Sequence, residues 1–152
     1  MGKRTLKSTA YHEAGHAVVS IATGLPFDSV TITPGDGYRG ALVYSQGFSI
    51  FGEKSTQEIA LAKKAILVSL AGSIAEEKLN GRYSQMSAVV DMFNAEALAL
   101  QLAKNPDAYL NRKRNEARQI ITDEWSFVVR LAESLLNRKI LSYADVIELK
   151  SN

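Results

Sequence analysis

Leu6-Lys7-Ser8-Thr9-Ala10-Tyr11-His12-Glu13-Ala14-Gly15-His16-Ala17-Val18-Val19-Ser20-Ile21-Ala22-Thr23 is the stretch from which the rest of the chain is read. It contains no proline and one interior glycine, Gly15. Ala10, Ala14, Ala17, Val18 and Ile21 recur at helical spacing, which predicts an α-helix with a buried stripe. Gly24-Leu25-Pro26 supplies its stop. Both histidines of the protein lie in this helix. His12 and His16 sit about one turn apart on one face, where two imidazoles can reach one tetrahedral zinc ion at about 2.0–2.1 Å. Glu13 completes the pattern H-E-x-x-H. Its rotation of about 100° from His12 sets it beside such a metal rather than on it. From there it can take a proton from water whose pKa the zinc lowers toward about 7. Gly15 reads as close packing against a neighbouring element or as room beside the metal, with packing preferred.

The 152 residues are expected to form one domain, residues 1–152, large enough for a core. With 46% hydrophobic and 22% charged residues the composition is that of an ordinary globular protein. A net charge of +2 is too mild to argue for nucleic acid as a partner. The absence of cysteine excludes disulfides and thiolate ligands, so any zinc must be held by nitrogen and oxygen. It is also compatible with a reducing, cytoplasmic setting. No apolar run approaches the roughly 20 residues that span a bilayer, no signal peptide is recognisable, and no G-x-x-x-x-G-K-[ST] loop occurs. No membrane segment and no ATPase are therefore expected within these residues.

Ser29 to Thr33 and Gly40 to Ser45 read as short strands joined through the turn Pro34-Gly35-Asp36-Gly37. The second can serve as a sheet edge along which an extended peptide lies, or as one half of a purely structural hairpin. Gly47 to Lys54 reads as a loop in which Phe48 and Phe51 tuck into the core, form a lid or make a partner contact. Ser55-Thr56-Gln57-Glu58 has the form of a capping box and opens a helix to about Leu79 that is rich in small residues, so that another helix can approach closely. Further helices are expected over Ser87 to Lys104, and from the Asn105 cap with Pro106 to about Arg138, with a break near Thr122-Asp123. Ser142 to Asp145 caps a short last helix. The basic run Asn111-Arg112-Lys113-Arg114 reads as a solvated helix face. The fold class is thus α+β and mainly α-helical, a helical bundle carrying the H-E-x-x-H helix beside a sheet of two or three short strands.

A catalytic zinc wants three protein ligands and one open position. Without a third histidine or a cysteine, the third ligand must be a carboxylate. Asp91 is the first choice. It stands among Val89, Val90, Met92 and Phe93, where a free charge is poorly placed, and in the expected first turn of its helix it suits the helix dipole. Glu76 and Glu77 are the rivals, either as the third ligand or as groups that orient a ligand imidazole through its free N–H.

Tyr11-His12-Glu13-Ala14-Gly15-His16-Ala17-Val18-Val19 resembles the zinc motif of the M41 (FtsH-like) peptidase family, the protease domains of membrane AAA+ proteases. Val30-Thr31-Ile32-Thr33-Pro34 and Gly40-Ala41-Leu42 resemble the strands that follow it. Leu70-Ala71-Gly72-Ser73-Ile74-Ala75-Glu76-Glu77 is similar to the family's L-x-G-R-x-A-E-E helix, with Ser73 in place of the arginine. The resemblance implies Asp91, 79 residues after His12, as the third ligand, although Val89-Val90-Asp91-Met92 departs from the family's serine-asparagine-aspartate-leucine. It further implies a zinc metallopeptidase of His12, His16 and Asp91 with Glu13 as general base. Lacking an ATPase of its own, it would act on peptides, flexible segments or unfolded proteins unless a separate ATPase partner feeds it. A homo-oligomer is admitted by the same resemblance. Two other classes stand beside this expectation: a peptidase-like module that binds protein without cutting it, and a zinc hydrolase of non-peptide amides.

Overall fold

The computed structural model describes residues 5–35, 40–43 and 55–151. Six helices and a small three-stranded antiparallel sheet make an α+β, mainly helical architecture among them. Helix α1 (Leu6–Thr23) begins at Thr5, whose hydroxyl accepts the Ser8 N–H at 3.0 Å, and ends at Gly24 in the left-handed region, φ 76°. The expected one-sided stripe is an underestimate. Every residue from Ser8 to Ser20 is buried, so α1 is the covered axis of the molecule, and its polar side chains are buried with it.

Helix α2 (Thr56–Asn80), capped by the Ser55 hydroxyl on the Glu58 N–H, lies along α1. A Cβ on Gly15 would fall 2.8 Å from the Ala71 carbonyl oxygen and 2.8 Å from the Ala75 methyl group. Gly15 is therefore where the two helix backbones meet, which is the packing reading of that residue. Helix α3 (Gln85–Leu102) packs on α2, and α4 (Pro106–Asp123) packs on α2 and α3. Asn105 caps α4 through the Ala108 N–H, with Pro106 at its first position, as the sequence predicts. The chain turns at Glu124 into α5 (Trp125–Arg138), which returns against α1. The core between them is built from Val18, Val19, Ile66, Leu70, Leu131 and Leu135, all 1% exposed or less. Around the run Asn111–Arg114, Lys113 pairs with Glu116 at 3.0 Å, and Arg112 and Lys113 lie over the Tyr109 ring, which fits a solvated helix face.

The sheet runs β2 (Ala41–Val43), β1 (Ser29–Thr31), β3 (Ile140–Ser142), with β1 antiparallel to both neighbours. Strand β3 is absent from the sequence reading, which carries helical pattern to Arg138. The reason is local: α5 stops at Lys139 with φ 71°, a left-handed turn made without glycine or asparagine. The Lys139 carbonyl then accepts the Ile32 N–H at 2.9 Å and the Thr31 hydroxyl at 3.2 Å, which seats β3 on β1. The expected box at Ser142 is formed, Ser142 and Asp145 each accepting the other's N–H, and opens α6 (Tyr143–Ser151). The turn at Asp36-Gly37, the end of the second strand at Tyr44-Ser45, and the loop carrying Phe48 and Phe51 lie outside the described residues. No helix among the described residues is long and apolar enough to cross a membrane.

Alanine raises helix propensity by about 1 kcal/mol over glycine, yet at position 15 its methyl group meets a backbone oxygen that cannot step aside. Gly15→Ala is expected to destabilise the protein by about 1–3 kcal/mol, measured by urea unfolding. An increase in stability would show that α1 and α2 are not in that contact.

Candidate metal centre

Three helices converge on one point. His12 and His16 come from α1, and their rings meet edge to face with centroids 4.7 Å apart. Asp91 comes from α3. Its Oδ2 lies 2.8 Å from His12 Nε2 and 3.2 Å from His16 Nε2. For comparison, ligands at 2.0–2.1 Å from a tetrahedral zinc lie about 3.3 Å from one another. Both nitrogen–oxygen distances thus lie near the spacing of two corners of such a site.

The rear of each imidazole is anchored. His12 Nδ1 is 2.6 Å from Glu76 Oε1, and His16 Nδ1 is 2.6 Å from the Val68 carbonyl oxygen. A carbonyl oxygen only accepts, so His16 Nδ1 carries the proton, and the Glu76 carboxylate asks the same of His12. Both Nε2 atoms are then turned toward Asp91, the arrangement in which outer hydrogen bonds fix the tautomer of metal-binding histidines. Glu76 is itself held: it is 2% exposed and accepts the Ser84 N–H at 3.2 Å and the Ser87 hydroxyl at 3.1 Å. Of the two glutamates that rival Asp91, Glu76 therefore sits behind His12. Glu77 is exposed and lines a cavity of about 240 Å³ with Tyr83, Met92 and Arg114, to which neither histidine contributes.

Gly72 closes the fourth side. A Cβ there would fall 2.5 Å from His12 Nε2 and 2.6 Å from His16 Nε2, so any side chain would occupy the space before both nitrogens. Two nitrogens, one carboxylate oxygen and a glycine that keeps the space free together fit a zinc ion. Glu13 is 4% exposed, and one carboxylate oxygen lies within 4.8 Å of the ligand nitrogens of both histidines. It is capped by Gly40, where a Cβ would fall 2.8 Å from Glu13 Cγ. Gly40 leads directly into β2, an edge of the sheet among the described residues, so that edge runs beside Glu13.

Two features used for Asp91 in the sequence reading do not hold. Ser84 accepts the Ser87 N–H, so α3 starts at Gln85 and Asp91 is its seventh residue, beyond the reach of the first-turn dipole. Val89, Val90 and Phe93 are 62%, 63% and 70% exposed, and Asp91 points the other way. The groups that sequence reasoning missed are Gly72, the Val68 carbonyl, and the Ser84–Ser87 support of Glu76. Gly72 belongs to the small-residue run that was noticed, but nothing in the sequence aims it at the imidazoles. A backbone carbonyl leaves no signal in a sequence at all.

Electrostatics in the metal-free protein follow from this packing. Burial is the largest influence on His16 and opposes its charge, but Asp91, Glu13 and the Val68 carbonyl together outweigh it and raise the imidazole pKa to about 9. Burial likewise opposes the charge of Asp91, and the two imidazoles outweigh it, holding the carboxyl well below the usual carboxylate range. Without a metal, the neighbouring carboxylates thus favour the protonated form of His16.

No protein-family model matches the chain, and no curated protein matches it. The geometry itself makes a pH-dependent prediction. A raised His16 pKa stabilises the metal-free fold fully below 6.5, and that contribution is lost as pH rises through about 9. A lowered Asp91 pKa contributes above 3.8 and is lost on acidification. Thermal unfolding in chelator should show the contribution of this pair to be greatest between about pH 4 and 6.5. Zinc requires a neutral imidazole, so its binding near pH 7 should release about one proton per ion. Calorimetric titration in buffers of different ionisation heat reads that number. Zinc uptake without proton release would mean that His16 is not a ligand.

Proposed function

We propose that the protein is a zinc metallopeptidase of the FtsH-like (M41) type, hydrolysing peptide bonds in peptides or unfolded proteins. The observation that carries the reading is the convergence of His12 Nε2, His16 Nε2 and Asp91 Oδ2, with both Nδ1 atoms anchored from behind. In this reading those three atoms hold zinc, and Glu76 orients His12 without binding the metal. Zinc, when bound, supplies Lewis acidity toward the scissile carbonyl and acidifies water beside it.

The remaining chemistry belongs to the chain. The Glu13 carboxylate accepts a proton from the attacking water as its oxygen bonds to the carbonyl carbon. The carbon–nitrogen bond then breaks, and Glu13 returns the proton to the leaving amine. Substrate is best received in extended form along β2, Ala41–Val43, the edge strand among the described residues, by backbone hydrogen bonds, because Gly40 brings that strand against Glu13. Delivery of such chains by an ATPase, and residence in the cytoplasm, complete the proposal.

The departure of Val89-Val90-Asp91-Met92 from the family's serine-asparagine-aspartate-leucine favours a second reading, a peptidase-like module that binds protein without cutting it. Glu13→Gln separates the two. The variant should keep its zinc and lose about 10²–10⁴-fold in turnover of an unstructured protein substrate, read by release of new amino termini. Undiminished proteolysis in the variant would remove Glu13 from the reaction. Zinc-loaded wild type that cuts no unstructured substrate would favour the binding module.

A further inference from the structure

Helix α3 is packed inside out. The residues it buries are Ala88, Ala95 and Ala99, supported by the partly buried Met92, Leu98 and Leu102. Its larger apolar side chains point away: Met86, Val89, Val90, Phe93 and Leu100 are between 62% and 84% exposed. A helix that is apolar all round is ordinarily covered all round. The outward residues are not scattered. Met86, Val90, Phe93, Ala97 and Leu100 follow one another in steps of four, three, four and three, the 3.5-residue period of a seam that packs against a second helix. Met86, Phe93 and Leu100 are one heptad apart, and Ala97 leaves a gap between the two larger neighbours.

We propose that this seam is the contact between two copies of the chain, with α3 of one lying antiparallel along α3 of the other across a two-fold axis. An axis at the level of residue 95 sets the large Phe93 of each copy into the gap at Ala97 of the other, and Val90 against Leu100. A two-fold contact uses one patch twice, so it must be complementary to itself, and the large-into-small alternation meets that requirement. Five exposed apolar side chains in one row form a contiguous patch of the kind that marks a protein contact.

Charge favours this occupant over a lipid surface. The charged residues within α3, Asp91 and Glu96, are both acidic, and the basic Arg82 and Lys104 stand only beyond its two ends. The contact reaches the metal centre through the backbone. Val90 precedes Asp91, so a helix held on its outer face also holds the carboxylate toward the imidazoles.

The test is sedimentation velocity on the whole protein from micromolar to near-millimolar concentration, with flotation on zwitterionic and anionic vesicles beside it. Wild type is expected at twice the chain mass of 16.6 kDa. Phe93→Glu and Val90→Glu should each raise the dissociation constant about tenfold or more, with helical circular dichroism unchanged. Leu100→Gln, a milder change, should weaken the dimer without threatening the fold should the glutamate variants fail to fold. A monomer at every concentration overturns the proposal. So does a dimer that is unaffected by substitutions in the seam, or a wild type that floats with vesicles and does not self-associate.

Discussion

The structure depends on burying two imidazoles in the middle of its most covered helix. An unpaired polar group costs several kcal/mol in such a place, so every nitrogen of His12 and His16 must be given a partner. The inner nitrogens receive Glu76 and the Val68 carbonyl; the outer ones share Asp91. Val68 and Glu76 come from α2 and Asp91 from α3, and each fixes where its helix can lie. α2 must pass close enough for its own carbonyl to reach His16, and α3 must present its seventh residue to both rings.

Glycine makes that closeness geometrically available. Gly15 lets α1 meet the backbone of α2, and Gly72 lets α2 meet the rings of α1. The two glycines act in opposite directions across one helix pair. Core packing and the polar cluster are therefore one constraint, because the same approach that buries Ile66 and Leu70 also positions the metal centre. The sheet adds the other side: Gly40 at the start of β2 closes over Glu13, and β1 is held between β2 and a third strand near the end of the chain.

Much of this was legible in the sequence because the signals were local. Gly24 ends α1, Ser55 opens α2, and Asn105 with Pro106 opens α4, each through hydrogen bonds made within a few residues. His12, Glu13 and His16 are legible for the same reason, since helical spacing alone puts them together. Asp91 was reached partly on grounds that fail, because its helix starts earlier than expected and its apolar neighbours face outward. Strand β3 was invisible, since Lys139 makes a left-handed stop that its residue type does not advertise. What a sequence conceals here is long-range: the contact of Gly72 with both rings, and Glu76 held between His12 and the Ser84–Ser87 turn.

The central claim is that His12, His16 and Asp91 form one metal centre, and the most direct test is the zinc content of the purified protein beside that of Asp91→Ala. One zinc per chain in the wild type, falling by about tenfold or more in the variant at equal free zinc, is the result this account predicts. Stoichiometric zinc retained by Asp91→Ala, or none in wild-type protein equilibrated with excess zinc, would contradict it.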